Sequence, residues 1–296
     1  MSAGEHPARS AFARYFTLDP AVTYLNHGAF GACPVPVLAV QNELRARLER
    51  NPLQFFMREL ERSLDDTRDV LAPFLGARPE DLVFVPNATA GVNTVLASLD
   101  QEAGSEVVVA DHTYPACRNA VEYWAKRRSV QVRAATLPFP LHSAEQLTEA
   151  VLAQVTERTR LVLLDHVTSP SGIVLPLETL VRTLRERGID TLVDGAHGPG
   201  MLPLDLERLG ATYYTGNLHK WCCAPKGAAF LWVPRARQTA IHPLIISHGW
   251  AAPRTDRSRF LLEFDWPGTL DPSAILSVPA ALSFLSGLFD GGFPAL

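Results

Sequence analysis

The sequence predicts an α/β fold: a mostly parallel seven-stranded sheet with helices on both faces. Three observations carry that expectation: short runs that are apolar on both faces, helical patterns alternating with them, and polar residues gathered where the runs end. The runs are 81–87, 106–112, 130–137, 160–166, 190–197, 211–217 and 227–234, mostly rich in Val, Leu and Phe. Strands of this kind suit a largely parallel sheet covered on both sides. Helical apolar spacing fills 88–99, 115–128, 143–155 and 176–188, the last closed by Gly188 as a C-cap. Such alternation is the pattern of a doubly wound domain. Lys126, Arg127 and Arg128 close the second of these helices, where cations are favoured. Two further helical patterns, 34–50 and 58–75, precede the first strand, and an N-terminal arm covers 1–33.

Composition narrows the function classes. The 296-residue chain has a formal net charge of −4 and no basic stripe, which argues against nucleic acid as a partner. No stretch approaches a membrane-spanning length, and the opening "MSAGEHPARS" is polar, so a cytoplasmic protein is expected. Cys33, Cys117, Cys222 and Cys223 form neither a disulfide framework nor a zinc pattern. They read as small buried hydrophobes in a reducing compartment.

Polar residues follow five of the runs: Asn87 and Thr89; Asp111, His112 and Tyr114; Asp165, His166, Thr168 and Ser169; Asp194 and His197; Asn217, His219 and Lys220. All fall at or just beyond the carboxyl ends of expected parallel strands, where open α/β sheets bind ligands. Lysine is scarce: of 27 basic residues only Lys126, Lys220 and Lys226 carry an amine, and two of these lie in "GNLHKWCCAPKG" (216–227). Arginine stays charged in proteins, whereas a lysine amine can lose its proton and act as nucleophile or base. "PNATAGVN" places small residues where a strand turns into a helix, so free backbone N–H groups can hold a phosphate; an ordinary N-cap by Asn87 or Thr89 is an equal reading. A buried Asp194 needs a cationic partner, and a pyridinium nitrogen meets that need. With Lys220 as the Schiff-base amine, the set points to pyridoxal phosphate.

The order of these motifs resembles the class V aminotransferase family of fold-type I pyridoxal-phosphate enzymes, and most of all its isopenicillin N epimerase-like branch. The stretches that carry the resemblance are "YLNHGAFG" (24–31), "NATAGVN" (87–93), "DHTYPA" (111–116), "DHVTSPSGIVLP" (165–176), "VDGAHGPG" (193–200), "GNLHKWCCAPKGAAFLWV" (216–233) and "WPGTLDPSAIL" (266–276). "VDGAH" followed by "HKW" is the most specific of them. The resemblance implies that Lys220 binds the cofactor covalently and that Asp194 pairs with the pyridine nitrogen. It puts His197 near the phenolic oxygen, and Thr89, Ala90, Asn217 and His219 at the phosphate. Tyr114 and His112 both stand where the family stacks a side chain on the ring. Asn26 and His27 resemble the segment lining the substrate side. Thr269 resembles a phosphate contact reaching a neighbouring subunit, which implies a homodimer.

The expected organisation follows: an arm over 1–33, a large pyridoxal-phosphate domain over 34–270, and over 271–296 the start of a helix leading into a small C-terminal domain that is missing or truncated. The family's arginine for the substrate carboxylate would lie in that domain; Arg254, Arg257 and Arg259 are candidates to replace it. The activity implied is chemistry at the α-carbon of an amino acid or a derivative: epimerisation, transamination or elimination, with Lys220 as the base. A cysteine desulfurase or C–S lyase of the same family is the nearest alternative. Readings of another class are a catalytically inactive homologue, or a metallohydrolase built on the Asp111–His112, Asp165–His166 and Asp194–His197 groupings. The metallohydrolase leaves "HKW" and "NATAG" unexplained, and neighbouring strand residues face opposite ways; no metal is expected.

Overall fold

The computed structural model describes residues 10–295. Pro34 and a proline within the first turn open α1 (Val35–Arg50), because a helix start has no use for the N–H that proline lacks. The chain continues through α2 (Pro52–Gln54) and a π-helical turn, Phe55–Glu59, into α3 (Leu60–Leu75). The expected helix over 58–75 therefore starts later, after that turn. From here strand and helix alternate as β1 (Leu82–Val85), α4 (Ala88–Ser98), β2 (Glu106–Ala110), α5 (Pro115–Arg128), β3 (Gln131–Ala135), α6 (Ala144–Leu152), β4 (Thr159–Asp165), α7 (Leu177–Glu186) and β5 (Asp190–Asp194). Then come α8 (Leu206–Leu209), β6 (Tyr213–Asn217), β7 (Ala229–Trp232), α9 (Arg259–Phe264), α10 (Ser273–Leu276) and α11 (Val278–Ser286). Lys126, Arg127 and Arg128 do fill the last turn of α5, and Gly188 takes a left-handed φ of 71° just past α7.

The strands form one sheet in the order β1-β7-β6-β5-β4-β2-β3. All pairs are parallel except those of β7, which runs against both β1 and β6. The reversal has a local cause: residues 218–228 between β6 and β7 contain no helix, and a parallel return needs a crossover element. That connection carries Lys220, so the lysine lies at the same edge as the carboxyl ends of β1, β2, β4, β5 and β6.

Two apolar layers cover the sheet. Leu71 and Leu75 of α3, Leu147 of α6, Leu180 and Leu184 of α7 and Val278 of α11 pack on one face. Val92 and Val95 of α4, Val121 and Trp124 of α5 and Phe260 of α9 pack on the other. The sandwich holds strand ends rigidly, and β4 and β5 bring Asp165 into register with Asp194. Among the described residues no helix is long and apolar enough to cross a membrane.

Candidate functional site

The site begins with the carboxylate that ends β5. Asp194 is 3% exposed. Its Oδ2 accepts from Cys117 Sγ at 3.0 Å and its Oδ1 from the Ala196 N–H at 3.0 Å. Burial raises its pKa, opposed by the Cys117 thiol, the Ala196 N–H and the charge of Lys220. Cys117, read from sequence as packing, thus holds the central carboxylate, and its own thiol is pushed up by burial first and by Asp194 next. The available signal was positional: Cys117 lies one helical turn beyond Tyr114, at the start of α5.

Lys220 sits across from this carboxylate, half-buried. Its Nζ is 3.2 Å from His197 Nε2, and the Trp221 indole N–H donates to His197 Nδ1 at 3.2 Å. An indole nitrogen can only donate, so Nδ1 accepts and the neutral ring carries its proton on Nε2. That proton can be given to Lys220 only if the amine is uncharged. The surroundings agree: burial lowers the Lys220 pKa against the pull of Asp194, and burial, with the Lys220 charge, lowers His197 to about 4. The arrangement is a lysine held ready as a nucleophile or base. Trp221 fixes the tautomer that makes this so.

The third part is the amino end of α4. Asn87 caps it, accepting from the Ala90 N–H at 2.8 Å, and the buried Asn217 Oδ1 accepts from the Ala88 N–H at 2.8 Å. Gly91 lets α4 reach β6: a Cβ there would stand 2.1 Å from Thr215 Oγ1. The Ala90 N–H is already engaged and Asn217 braces the helix end, which leaves Thr89 as the residue of this turn whose N–H has no protein partner among the described residues. His219 Nδ1 donates to the Ala228 carbonyl, 2.9 Å away, because a carbonyl only accepts; its Nε2 has no hydrogen-bond partner among the described residues. Burial lowers its pKa.

Flanking residues differ in how closely they join this centre. The Tyr114 N–H donates to Asp165 Oδ1 at 3.2 Å, and its side chain is 39% exposed. His112 Nδ1 lies 2.8 Å from Ser171 Oγ. Asn26 Oδ1 accepts from the Ala29 N–H at 3.0 Å and His27 Nδ1 from the Ala32 N–H at 3.2 Å, which shapes the 24–31 segment, and the Gly31 N–H donates to the His219 carbonyl at 3.1 Å, which holds it on the lysine loop. Gly28 and Gly31 permit that approach, because a Cβ would stand 2.8 Å from the Trp221 ring at one and 2.3 Å from the Lys220 carbonyl at the other. Lys226 Nζ donates to the Gly31 carbonyl and so ties the segment down.

Thr269 is exposed, without a side-chain hydrogen bond among the described residues, on the loop after α9. That loop borders a hollow of about 500 Å³ lined in part by Phe56, Pro86, Ala90, Lys226, Ile245 and Trp266. The hollow adjoins the α4 end and does not include Lys220. Arg254, Arg257 and Arg259 are committed elsewhere: Arg254 to Glu61 and Asp256, Arg257 to Asp65 and Asp265, Arg259 to the Gly249 and Ala252 carbonyls. The expectation that one of them replaces a substrate-binding arginine is corrected on that ground. The Asp–His groupings diverge as strand geometry requires: His166 Nδ1 meets Tyr214 Oη at 2.9 Å, while Asp165 turns toward Tyr114. Among the described residues no group of three His, Cys, Asp or Glu is placed to hold a metal.

Comparison with known proteins gives a family match and close relatives. The family model described as "Aminotransferase class-V" matches residues 23–288. An isopenicillin N epimerase of Amycolatopsis lactamdurans is 39% identical over 93% of this chain and 72% of its own length. A protein described as "Probable L-cysteine desulfhydrase, chloroplastic" from Arabidopsis thaliana is 33% identical over 94% of this chain and 61% of its own length. Among solved structures, a mutant of the cystine C–S lyase C-DES with glycine covalently linked to its PLP cofactor superposes with a TM-score of 0.82 at 25% identity. That likeness covers 92% of this chain and 73% of the other.

Proposed function

Because the chain belongs to the class V aminotransferase family, we propose that it is a pyridoxal-phosphate enzyme acting at the α-carbon of an amino acid or a derivative of one. The observation that carries the reading is the half-buried Lys220 amine, its pKa lowered by burial, beside His197 and facing a buried Asp194. When bound, pyridoxal phosphate supplies an electron sink for negative charge developing at that carbon. The chain's residues fit the group: Asp194 is a buried carboxylate with no cation in contact, and Thr89 leaves a backbone N–H for phosphate at a helix start.

In this reading Lys220 Nζ would tether the cofactor and, when released from it, would take the α-proton of the substrate. Asp194 would hold a proton on the ring nitrogen. His197 would orient the amine near the phenolic oxygen, Thr89 and His219 would hold the phosphate, and Tyr114 or His112 would cover the ring. Asn26 and His27 line the substrate side. Two copies would assemble around the apolar hollow that the Thr269 loop borders, with Thr269 reaching the neighbouring subunit's phosphate. The protein is read as cytoplasmic, with a small amino-acid-like substrate and no nucleic-acid or membrane partner.

Relatives favour two outcomes for the activated α-carbon. The epimerase supports return of a proton, an isomerase reaction; the desulfhydrase and the C–S lyase support loss of a sulfur substituent, a lyase reaction. Transfer of the amino group is the third outcome available to the same residues. The test is a panel of amino acids, L-cysteine included, incubated with protein and pyridoxal phosphate while α-epimer, keto acid and sulfide are measured. Borohydride should fix the cofactor to Lys220, located by peptide mass spectrometry. Fixation elsewhere, or none, defeats the reading.

A further inference from the structure

We propose that Asp165 is a positioning residue for Asp194: the two buried carboxyls share one proton, held on Asp165, so that Asp194 faces the pocket as its single carboxylate anion. The role toward Asp194 rests on the cofactor site described above; the shared proton is a property of the protein alone.

Two observations carry the inference. Asp165 and Asp194 stand in register on the parallel strands β4 and β5, 2% and 3% exposed, and neither takes part in an ion pair among the described residues. Two anions side by side, out of water and without a contacting cation, cannot both persist, so such pairs retain a proton. The donors decide where it stays. Asp194 receives the Cys117 thiol on one oxygen and the Ala196 N–H on the other. Asp165 Oδ1 receives the Tyr114 N–H, whereas its Oδ2 is buried with no hydrogen-bond partner. Charge is therefore better supported on Asp194, and the proton belongs to Asp165.

The other groups facing the pair act in both directions, the Thr113 hydroxyl and the Tyr114 N–H lowering the Asp165 pKa against the larger effects of burial and of Asp194. From the turn before α5 come the Thr113 hydroxyl and the Tyr114 N–H; from α5, Cys117; from β5, Asp194 itself. Lys220 and Tyr214 act on the Asp194 side. Burial first, and the Asp194 charge second, push Asp165 up to about 7. The arrangement matches charge to need: one ring cation meets one carboxylate. A second anion would leave the buried pocket with excess negative charge. Asp165 also anchors the backbone of Tyr114, one of the two side chains assigned to cover the ring.

The test compares wild-type, Asp165→Asn and Asp194→Asn apoproteins by thermal melting and by difference infrared spectroscopy across pH. An amide in place of Asp165 keeps an acceptor for the Tyr114 N–H and imitates the neutral acid. A carboxyl whose folded pKa is raised contributes stability that is full below the unfolded value of 3.8 and lost as pH rises through about 7. The melting advantage of Asp165→Asn over wild type should accordingly open as pH rises across that window. The infrared band of a protonated carboxyl should vanish from wild type with a midpoint near 7, be absent from Asp165→Asn, and move down by roughly one pH unit or more in Asp194→Asn.

A pH-independent melting gap, or no protonated carboxyl band in wild type above about pH 5, overturns the proposal. If Asp165→Asn does not fold, the wild-type and Asp194→Asn infrared titrations decide by themselves. Absence of a borohydride-fixed cofactor on Lys220 would sink the cofactor reading, while the apoprotein titration still judges the proton on Asp165.

Discussion

Lys220 and Lys226 occupy the two ends of one loop, yet their surroundings give them opposite tasks. Lys220 is half-buried against an imidazole whose other nitrogen is claimed by Trp221, and burial draws its pKa down. Lys226 is exposed and donates a hydrogen bond to the Gly31 carbonyl, a partner that leaves it a structural tie. The lesson is that an amine's chemistry is set by what its partners can donate. A partner that donates calls for the free base, whereas a carbonyl, which only accepts, can be met by the amine in either state.

Replacing each lysine is the most direct way to break this contrast. Lys220→Ala should lower turnover roughly 10²–10⁴-fold, the usual worth of a positioned base, and remove borohydride fixation altogether. Lys226→Met should leave fixation on Lys220 intact. A Lys226 variant that loses fixation would show the two ends of the loop to be one functional unit.

The next effect comes from the segment clamped between the two lysines. In Gly31→Ala the new Cβ would meet the Lys220 carbonyl at 2.3 Å and the His219 carbonyl at 2.5 Å, backbone atoms that cannot step aside. Overpacking of this kind costs about 1–3 kcal/mol, read by denaturant unfolding, and should raise KM as the 24–31 segment lifts. Lys226→Met removes only the hydrogen bond to Gly31, so its loss in the same experiment should be smaller, about 0.5–1.5 kcal/mol. Equal losses would mean that the clamp, and not the close approach, holds the segment.

How legible this was in the sequence depends on what each feature required. Buried runs alternating with helical spacing announced the sheet and its layers, because periodicity reports burial directly. The reversal at β7 was hidden, since its run is as apolar as the parallel ones and only the helix-free loop before it distinguishes the case. Lys220, Asp194 and Asn217 announced themselves at strand ends. Cys117 and Trp221 did not, because a thiol or indole that donates one hydrogen bond has the same composition signal as one that merely packs. Asp165 was visible as a polar strand end, but its pairing with Asp194 depends on strand order, β4 beside β5, which no local pattern states. The cap at α4 shows the same limit: Asn87 signalled a helix start, while Asn217 reached it from β6.

Histidine titration sharpens the contrast further. His197 and His166 are both held near 4 by burial, so each is neutral in the folded protein at neutral pH. A lowered base gives stability that is complete above its unfolded value of 6.5 and lost as pH falls through about 4. His197→Gln should therefore melt closer to wild type, or above it, as pH falls across that window, whereas at pH 8 it should melt lower. A pH-independent difference would mean that His197 is not the neutral ring that the Lys220 contact demands.

The smallest expected effect tests the origin of that neutrality. Trp221→Phe keeps a flat aromatic side chain beside His197 but removes the N–H that fills Nδ1. The cost in unfolding free energy should be that of one ordinary hydrogen bond, roughly 0.5–1.5 kcal/mol. Its informative consequence is chemical. With Nδ1 unclaimed, the ring can place its proton on either nitrogen, and Nε2 can then accept from a charged Lys220. The lysine cation gains a partner it lacks in wild type, so the pH at which Lys220 becomes reactive should move upward. Modification of the apoprotein by an amine-directed acylating reagent, followed at Lys220 by mass spectrometry across pH, reads that shift. An unchanged profile would mean that burial sets the free amine without help from the indole.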